Sequence, residues 1–334
     1  MNASPQTITV VGGAGFIGTR FCELLQTKGI DFRIVDLKPS NRFPDKSQVA
    51  DIRDRDALRA AVTGDTIVNL AAVHRDDVRD KDLYYSTNVD GTRALCEIAD
   101  EKGITRIVFT STVAVYGFAE PGTDESGAMA PFNDYGRSKQ QAEDVLNAWY
   151  AQDPDTRTLA VLRPTVVFGE GNRGNVYNLL NQIAGGRFVM VGNGENRKSM
   201  AYVGNIVAYL LYAATTARGH SVVNYVDTPD MTMNALVSHA RETLEGKPRI
   251  GLRLPFAVGL ALGYVADGVA ALTGRTLPIS SIRVRKFCAN TSFASAAHDQ
   301  PGFVAPFTLA DGLARTLRSE FLDPDPDREI FFTE

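Results

Sequence analysis

The chain has 334 residues, of which 44% are hydrophobic and 22% charged, and its formal net charge is -4. That length allows one large domain or two cooperating ones, and the slight acidity without a long basic tract excludes a nucleic-acid binder. Cys22, Cys96 and Cys288 are odd in number and far apart, and the four histidines are scattered, so neither a disulfide framework nor a metal site is expected.

Met1 to Gln6 is short and polar and leads straight into a strand, which reads as no secretory signal and a cytoplasmic protein. Residues Thr7 to Val11 are β-rich and run into Gly12-Gly13-Ala14-Gly15-Phe16-Ile17-Gly18, after which Phe16 to Leu25 is helical by apolar periodicity. A strand, a glycine loop and a helix N-terminus form the context of a dinucleotide fingerprint. The glycines let the backbone approach a pyrophosphate, whose charge then sits at the positive end of the helix. A second strand, Phe32 to Val35, ends in Asp36, about 20 residues on, where an acid binds the adenosine ribose hydroxyls. An acid there repels a 2'-phosphate, so NAD is expected rather than NADP. The alternation continues through Gln48-Val49-Ala50, a helix from Arg55 to Val62, a strand from Thr66 to Leu70, a long helix from Leu83 to Lys102 and a strand from Arg106 to Thr110. This pattern predicts an α/β fold with a doubly wound parallel sheet of the Rossmann type, ligands lying at the carboxyl ends of the strands.

Tyr135-Gly136-Arg137-Ser138-Lys139 follows. Four residues apart on a helix, the phenol and the ammonium share one face. A cation there favours the phenolate and brings a group of ordinary pKa near ~10 closer to neutral pH. Alone the pair is a weak signal, since Tyr-x-x-x-Lys occurs on many helices. The preceding motifs give it weight. The spacing Gly12-x-x-Gly15-x-x-Gly18, Asp51-Ile52, Asn69-Leu70-Ala71-Ala72, Ser111-Thr112-Val113-Ala114-Val115-Tyr116-Gly117 and the Tyr135/Lys139 pair occur in order over the first part of the chain.

On these motifs the chain resembles the extended short-chain dehydrogenase/reductase family of NAD-dependent epimerases and dehydratases. One departure is Val11, where the family usually has Thr. The resemblance implies Tyr135 as general acid/base, Lys139 as its pKa-lowering partner on the nicotinamide ribose, and Thr112 as the hydroxyl on the reacting sugar oxygen. It implies cofactor contacts from Gly12, Gly15, Phe16, Ile17, Gly18, Asp36, Asp51, Ile52, Ala71, Ala72, Asn88, Tyr135, Lys139 and Pro164. Dehydratases of the family carry an Asp-Glu pair directly after the catalytic Thr, but Val113 and Ala114 stand there. An epimerase or a simple dehydrogenase is left.

Residues 1–165 are expected to form the NAD-binding domain, with elements near 205–226 returning to it, and residues 166–334 a smaller substrate-binding part. Val166 replaces the Asn with which UDP-sugar epimerases contact their diphosphate. Lys198 falls where the family places a phosphate-clamping base, with Arg173 and the cluster Arg283-Val284-Arg285-Lys286 as further candidates. For each single residue a solvated basic face is the competing explanation. Leu254 to Leu272 holds only one charge, Asp267; a packed helix, an apolar surface meeting a membrane or lipid tail, and a spanning helix interrupted by Pro255 and glycines all remain open.

Blocks outside the general motifs include His74-Arg75-Asp76-Asp77-Val78, Asn172 to Leu180, Lys198 to Val207 and Gly302 to Pro306. They are similar to a branch of 4-epimerases acting on lipid-linked diphospho-sugars. That resemblance implies a lipid-linked substrate held by His74, Thr112, Asn175, Lys198 and Arg283, a peripheral contact with the cytoplasmic face of the inner membrane, and a homodimer. A soluble UDP-sugar 4-epimerase and a net sugar or sterol dehydrogenase are the alternatives.

Overall fold

The computed structural model describes residues 7–75, 78–274 and 279–333. Met1 to Gln6, read above as no signal, and Asp76-Asp77 of the His74 block lie outside them. In chain order the first part runs β1 (Thr7–Val11), α1 (Phe16–Thr27), β2 (Asp31–Asp36), β3 (Ser47–Val49), α2 (Arg55–Ala61), β4 (Thr66–Asn69), α3 (Asp82–Tyr85), α4 (Gly91–Lys102), β5 (Arg106–Thr110), α5 (Asp134–Ala151) and β6 (Thr158–Pro164). There follow β7 (Val166–Phe168), α6 (Asn175–Ala184), β8 (Met190–Val191), β9 (Met200–Tyr202), α7 (Val203–Thr215), β10 (His220–Tyr225), α8 (Met233–Glu245), β11 (Arg253–Leu254), α9 (Phe256–Thr273), α10 (Ser281–Cys288) and α11 (Leu309–Leu317).

Seven strands form one sheet in the order β10-β6-β5-β4-β1-β2-β3. Every pairing in it is parallel. The inner strands are continuous apolar runs because helices cover both faces; all of β6, from Thr158 to Pro164, is buried. The order reverses between β1 and β4, which opens a crevice at their carboxyl ends. Two further pairs, β11 with β8 and β7 with β9, lie outside the main sheet. One apolar core runs from Ile8 and Val10 through Tyr202, Leu210 and Tyr225 to Leu313 and Phe331, so the late elements pack on the sheet they follow.

The expected helix from Leu83 to Lys102 is not regular. A wide π-type turn, Ser86–Asp90, separates α3 from α4. It brings Asn88 to the chain after β4, where its side chain accepts from Val73 N–H at 2.9 Å and donates to Val73 C=O at 3.0 Å. The same amide donates to Ser138 Oγ at 2.9 Å, so three hydrogen bonds offset the irregular helical turn.

Beneath the carboxyl ends of the central strands lies a buried ion pair. Arg163 Nη2 meets Glu143 Oε2 at 2.5 Å, the two side chains being 6% and 1% exposed. Removing one member leaves the other charge buried and unpaired. Arg163→Met is therefore expected to cost about 3–5 kcal/mol in urea unfolding, with the double variant E143L/R163M recovering much of the loss.

Candidate active site

The cofactor cradle forms where β1 turns into α1. Gly12 has φ +80°, and a Cβ on it would stand 2.6 Å from Ala71 N, so the first turn has no room for a side chain. At Gly15 an added Cβ would meet only the Gly12 carbonyl, at 3.4 Å. The N-cap residue Gly15 makes no side-chain cap and the first turn of α1 holds no acid, so its N–H groups are left to an anion. Asp36 ends β2 beside this loop, with Oδ2 accepting from Ala14 N–H at 2.9 Å. Ala71 and Ala72 line the far side of the crevice, half-buried after β4. Asp51 is held by Arg53, whose hydrogen bond keeps the carboxyl below its ordinary pKa, while the side chain of Ile52 is buried. The donor set, the bare glycine backbone and the ribose-side acid fit a dinucleotide with an unphosphorylated 2'-hydroxyl.

Thr112 stands just past β5. Its hydroxyl caps the short 3-10 turn Val113–Tyr116, Oγ1 accepting from Ala114 N–H at 3.1 Å. That contact fixes the oxygen and leaves its proton to donate. Asn133 caps α5 in turn, accepting from Gly136 N–H at 2.9 Å. An added Cβ on Gly136 would lie 2.7 Å from the carbonyl oxygen of Ala114. The helix carrying Tyr135 therefore touches the turn capped by Thr112 backbone to backbone, which only glycine permits.

Lys139 lies one turn further along α5, 1% exposed, with Nζ 4.1 Å from the centre of the Phe109 ring. Burial pushes its ammonium down to about 7, partly opposed by the charge of Glu143. Glu143 is a further turn along and was missed from the sequence. It accepts from Ser111 Oγ and pairs with Arg163, whose Nη1 donates to Tyr116 Oη at 2.6 Å; Tyr116 donates to Asn224 Oδ1 at 2.9 Å. One network thus ties both segments that hold Thr112, Tyr135 and Lys139 to β6 and β10. The Tyr135, Lys139, Glu143 spacing was its visible signal.

The substrate candidates are more scattered. His74 lies on the exposed chain after β4, and the surrounding protein lowers its imidazole below the ordinary value. Asn175 begins α6 and is exposed, and Arg283 is exposed on α10. The ammonium of Lys198 is occupied: it donates to Lys286 C=O at 2.8 Å and Thr291 Oγ1 at 3.1 Å, pinning the chain after α10. Asn88 spends both amide hydrogens on Val73 C=O and Ser138 Oγ and accepts from Val73 N–H, a positioning contact. Pro164 closes β6 in the buried floor. Also unforeseen was the last segment of the chain, which packs Phe331 against Phe16 at 5.8 Å, directly over the start of α1.

Residues 8–225 match the family described as "NAD dependent epimerase/dehydratase family". The chain belongs to that family. NAD is its cofactor. A relative from Escherichia coli O157:H7, N-acetyl-alpha-D-glucosaminyl-diphospho-ditrans,octacis-undecaprenol 4-epimerase, is 48% identical over 98% of this chain and 99% of its own. Among solved structures, UDP-N-acetylglucosamine 4-epimerase from Bacillus cereus superposes with a TM-score of 0.72 at 18% identity, covering 96% of this chain and 100% of the other. MoeE5 in complex with UDP-glucose and NAD gives 0.69 at 24% identity, covering 93% and 97%. At these identities the structures attest the shared family fold.

The buried Lys139 has a measurable cost. An ammonium whose pKa falls on folding binds its proton more tightly in the unfolded chain, so the destabilisation is complete below about pH 7 and is relieved as pH rises from there toward the unfolded value. Cofactor-free Lys139→Met is expected to melt higher than the parent at pH 7 by the equivalent of a few kcal/mol, a gap that narrows by pH 10. Equal melting at both pH values would show that the ammonium is not desolvated. Gly136→Ala, by contrast, should lower kcat at least about tenfold through the displaced Tyr135, with NAD still bound.

Proposed function

We propose that this protein is an NAD-dependent 4-epimerase that interconverts N-acetylglucosaminyl- and N-acetylgalactosaminyl-diphospho-undecaprenol through a 4-keto sugar, in the assembly of bacterial surface polysaccharide such as O-antigen. The near-full-length similarity to the E. coli O157:H7 enzyme carries the substrate. The site itself supports the reaction class: an alcohol-activating set, Thr112, Tyr135 and Lys139, without acids at Val113 and Ala114 to drive loss of water.

Bound NAD supplies a hydride acceptor that returns the hydride within the same turnover. The chain's own residues do the rest. Thr112, its oxygen fixed by Ala114 N–H, donates to the sugar oxygen. Tyr135 takes the 4-hydroxyl proton as phenolate and gives it back after the keto sugar has turned about its diphosphate linkage. Lys139, desolvated against Phe109, holds the positive charge that favours the phenolate. His74, Asn175 and Arg283 are the residues we assign to the sugar and diphosphate, with Lys198 bracing the chain beneath them. The lipid-linked substrate brings the protein to the cytoplasmic face of the inner membrane as a peripheral protein, acting as a homodimer through α4 and α5.

Purified protein offered both N-acetylglucosaminyl-diphospho-undecaprenol in detergent and UDP-N-acetylglucosamine should convert the first and leave the second. Turnover confined to the UDP-sugar would make it a soluble nucleotide-sugar epimerase, and stoichiometric NADH accumulation a net dehydrogenase. Tyr135→Phe should lose roughly 10²–10⁴-fold in rate with its NAD retained.

A further inference from the structure

Helix α9 is apolar on every side, yet the protein covers almost none of it. Only Gly259 and Gly263 of its 18 residues are buried. A Cβ on Gly259 would stand 2.5 Å from Val191, and one on Gly263 2.8 Å from the backbone of Ser281. The body of the protein thus grips the helix by its glycines and turns the large side chains outward. Leu262 is 50% exposed, Val265 65% and Leu272 90%, with Tyr264 and Val269 beside them. A helix of a water-facing domain buries its large apolar side chains, so this arrangement is inverted.

The charge around it is one-sided. From Lys247 to Phe293 the sequence carries seven Lys and Arg against the single acid Asp267, in a chain whose net charge is -4. The carboxylate of Asp267 is engaged, accepting from Ser281 N–H at 3.1 Å. Arg253, Arg285 and Lys286 are all exposed, and among the described residues none meets a carboxylate. Arg285 instead donates to Tyr264 Oη at 2.6 Å, placing a cation and an amphipathic ring together at the edge of the apolar face.

At about 27 Å the helix approaches the length of a membrane span. The fold opposes spanning, because α10 packs back onto its middle at Gly263 and Asp267. We propose that α9, with the start of α10, is a monotopic docking surface lying in the interface of an anionic bilayer. Its apolar side chains enter the acyl region, and Arg253, Arg285 and Lys286 meet lipid phosphates. The proposal rests on the lipid-linked reading for its purpose, since a docked enzyme meets its substrate where the polyprenyl tail resides, and on the exposed helix for its evidence.

The test is sedimentation of the NAD-loaded protein with substrate-free vesicles of phosphatidylglycerol and phosphatidylcholine, or of phosphatidylcholine alone. Binding should require phosphatidylglycerol and weaken with salt. L262E/V265E should lower the partition coefficient at least about tenfold, and R285E/K286E about fivefold or more per charge, with melting temperature and NAD content unchanged. L262E/V265E should also keep wild-type turnover of substrate dispersed in detergent and lose turnover of vesicle-embedded substrate. Wild-type protein that stays in the supernatant overturns the proposal, as does undiminished binding by L262E/V265E. So does a dimer that this variant dissolves while the wild type ignores vesicles, which would assign the face to a second copy. A protein that binds vesicles and turns over only UDP-sugars overturns the substrate reading and leaves the docking surface standing.

Discussion

The Glu143–Arg163 pair is the constraint on which the site depends. A buried carboxylate and guanidinium stabilise little in net terms, because desolvation offsets most of their attraction. Their value is geometric. Glu143 comes from the helix that carries Tyr135 and Lys139, and Arg163 from the strand beside the one that leads to Thr112. Through Ser111, Tyr116 and Asn224 the pair ties together α5, the turn after β5, β6 and β10. Neither charge can move without being left unpaired in an apolar interior, so the helix cannot slide against the sheet.

That rigidity serves a group held at a cost. Lys139 is desolvated, with the Phe109 ring against its ammonium and the charge of Glu143 acting on it. Such a cation acts strongly on its neighbours because little water screens it. The same lack of screening makes it unfavourable for the fold. A tightly packed scaffold with Gly136 against Ala114 lets the protein retain it. Site and framework are therefore arranged in opposite senses: a dense hydrogen-bonded network below, and a desolvated cation above.

The outer part of the molecule follows different physics. There the apolar surface of α9 is turned out and held by glycines, and the local charge is opposite in sign to the whole chain. The catalytic half buries its apolar residues in the usual way, whereas we propose that this edge is a surface for a second solvent. On the proposed lipid-linked function, the enzyme needs both.

The sequence by itself determined the local and periodic features. β1 and β5 have the bounds their residues suggest, because strands buried on both faces are marked by continuous β-branched runs. The glycine loop, Asp36 and the Tyr135/Lys139 stripe were legible because each is set by short-range spacing, and Thr112 through the family resemblance of the segment around it. Tertiary structure alone decided what depends on long-range encounters. It joined Glu143 to Arg163, gave Asn88 to Val73 and Ser138 through a widened helical turn, and turned the ammonium of Lys198 onto Lys286 and Thr291. It also decided that the apolar run near residue 260 lies outside the core. Composition shows that a segment is apolar, but which side of it the rest of the chain covers is settled only by packing, here by two glycines that let the backbone in and leave the large side chains out.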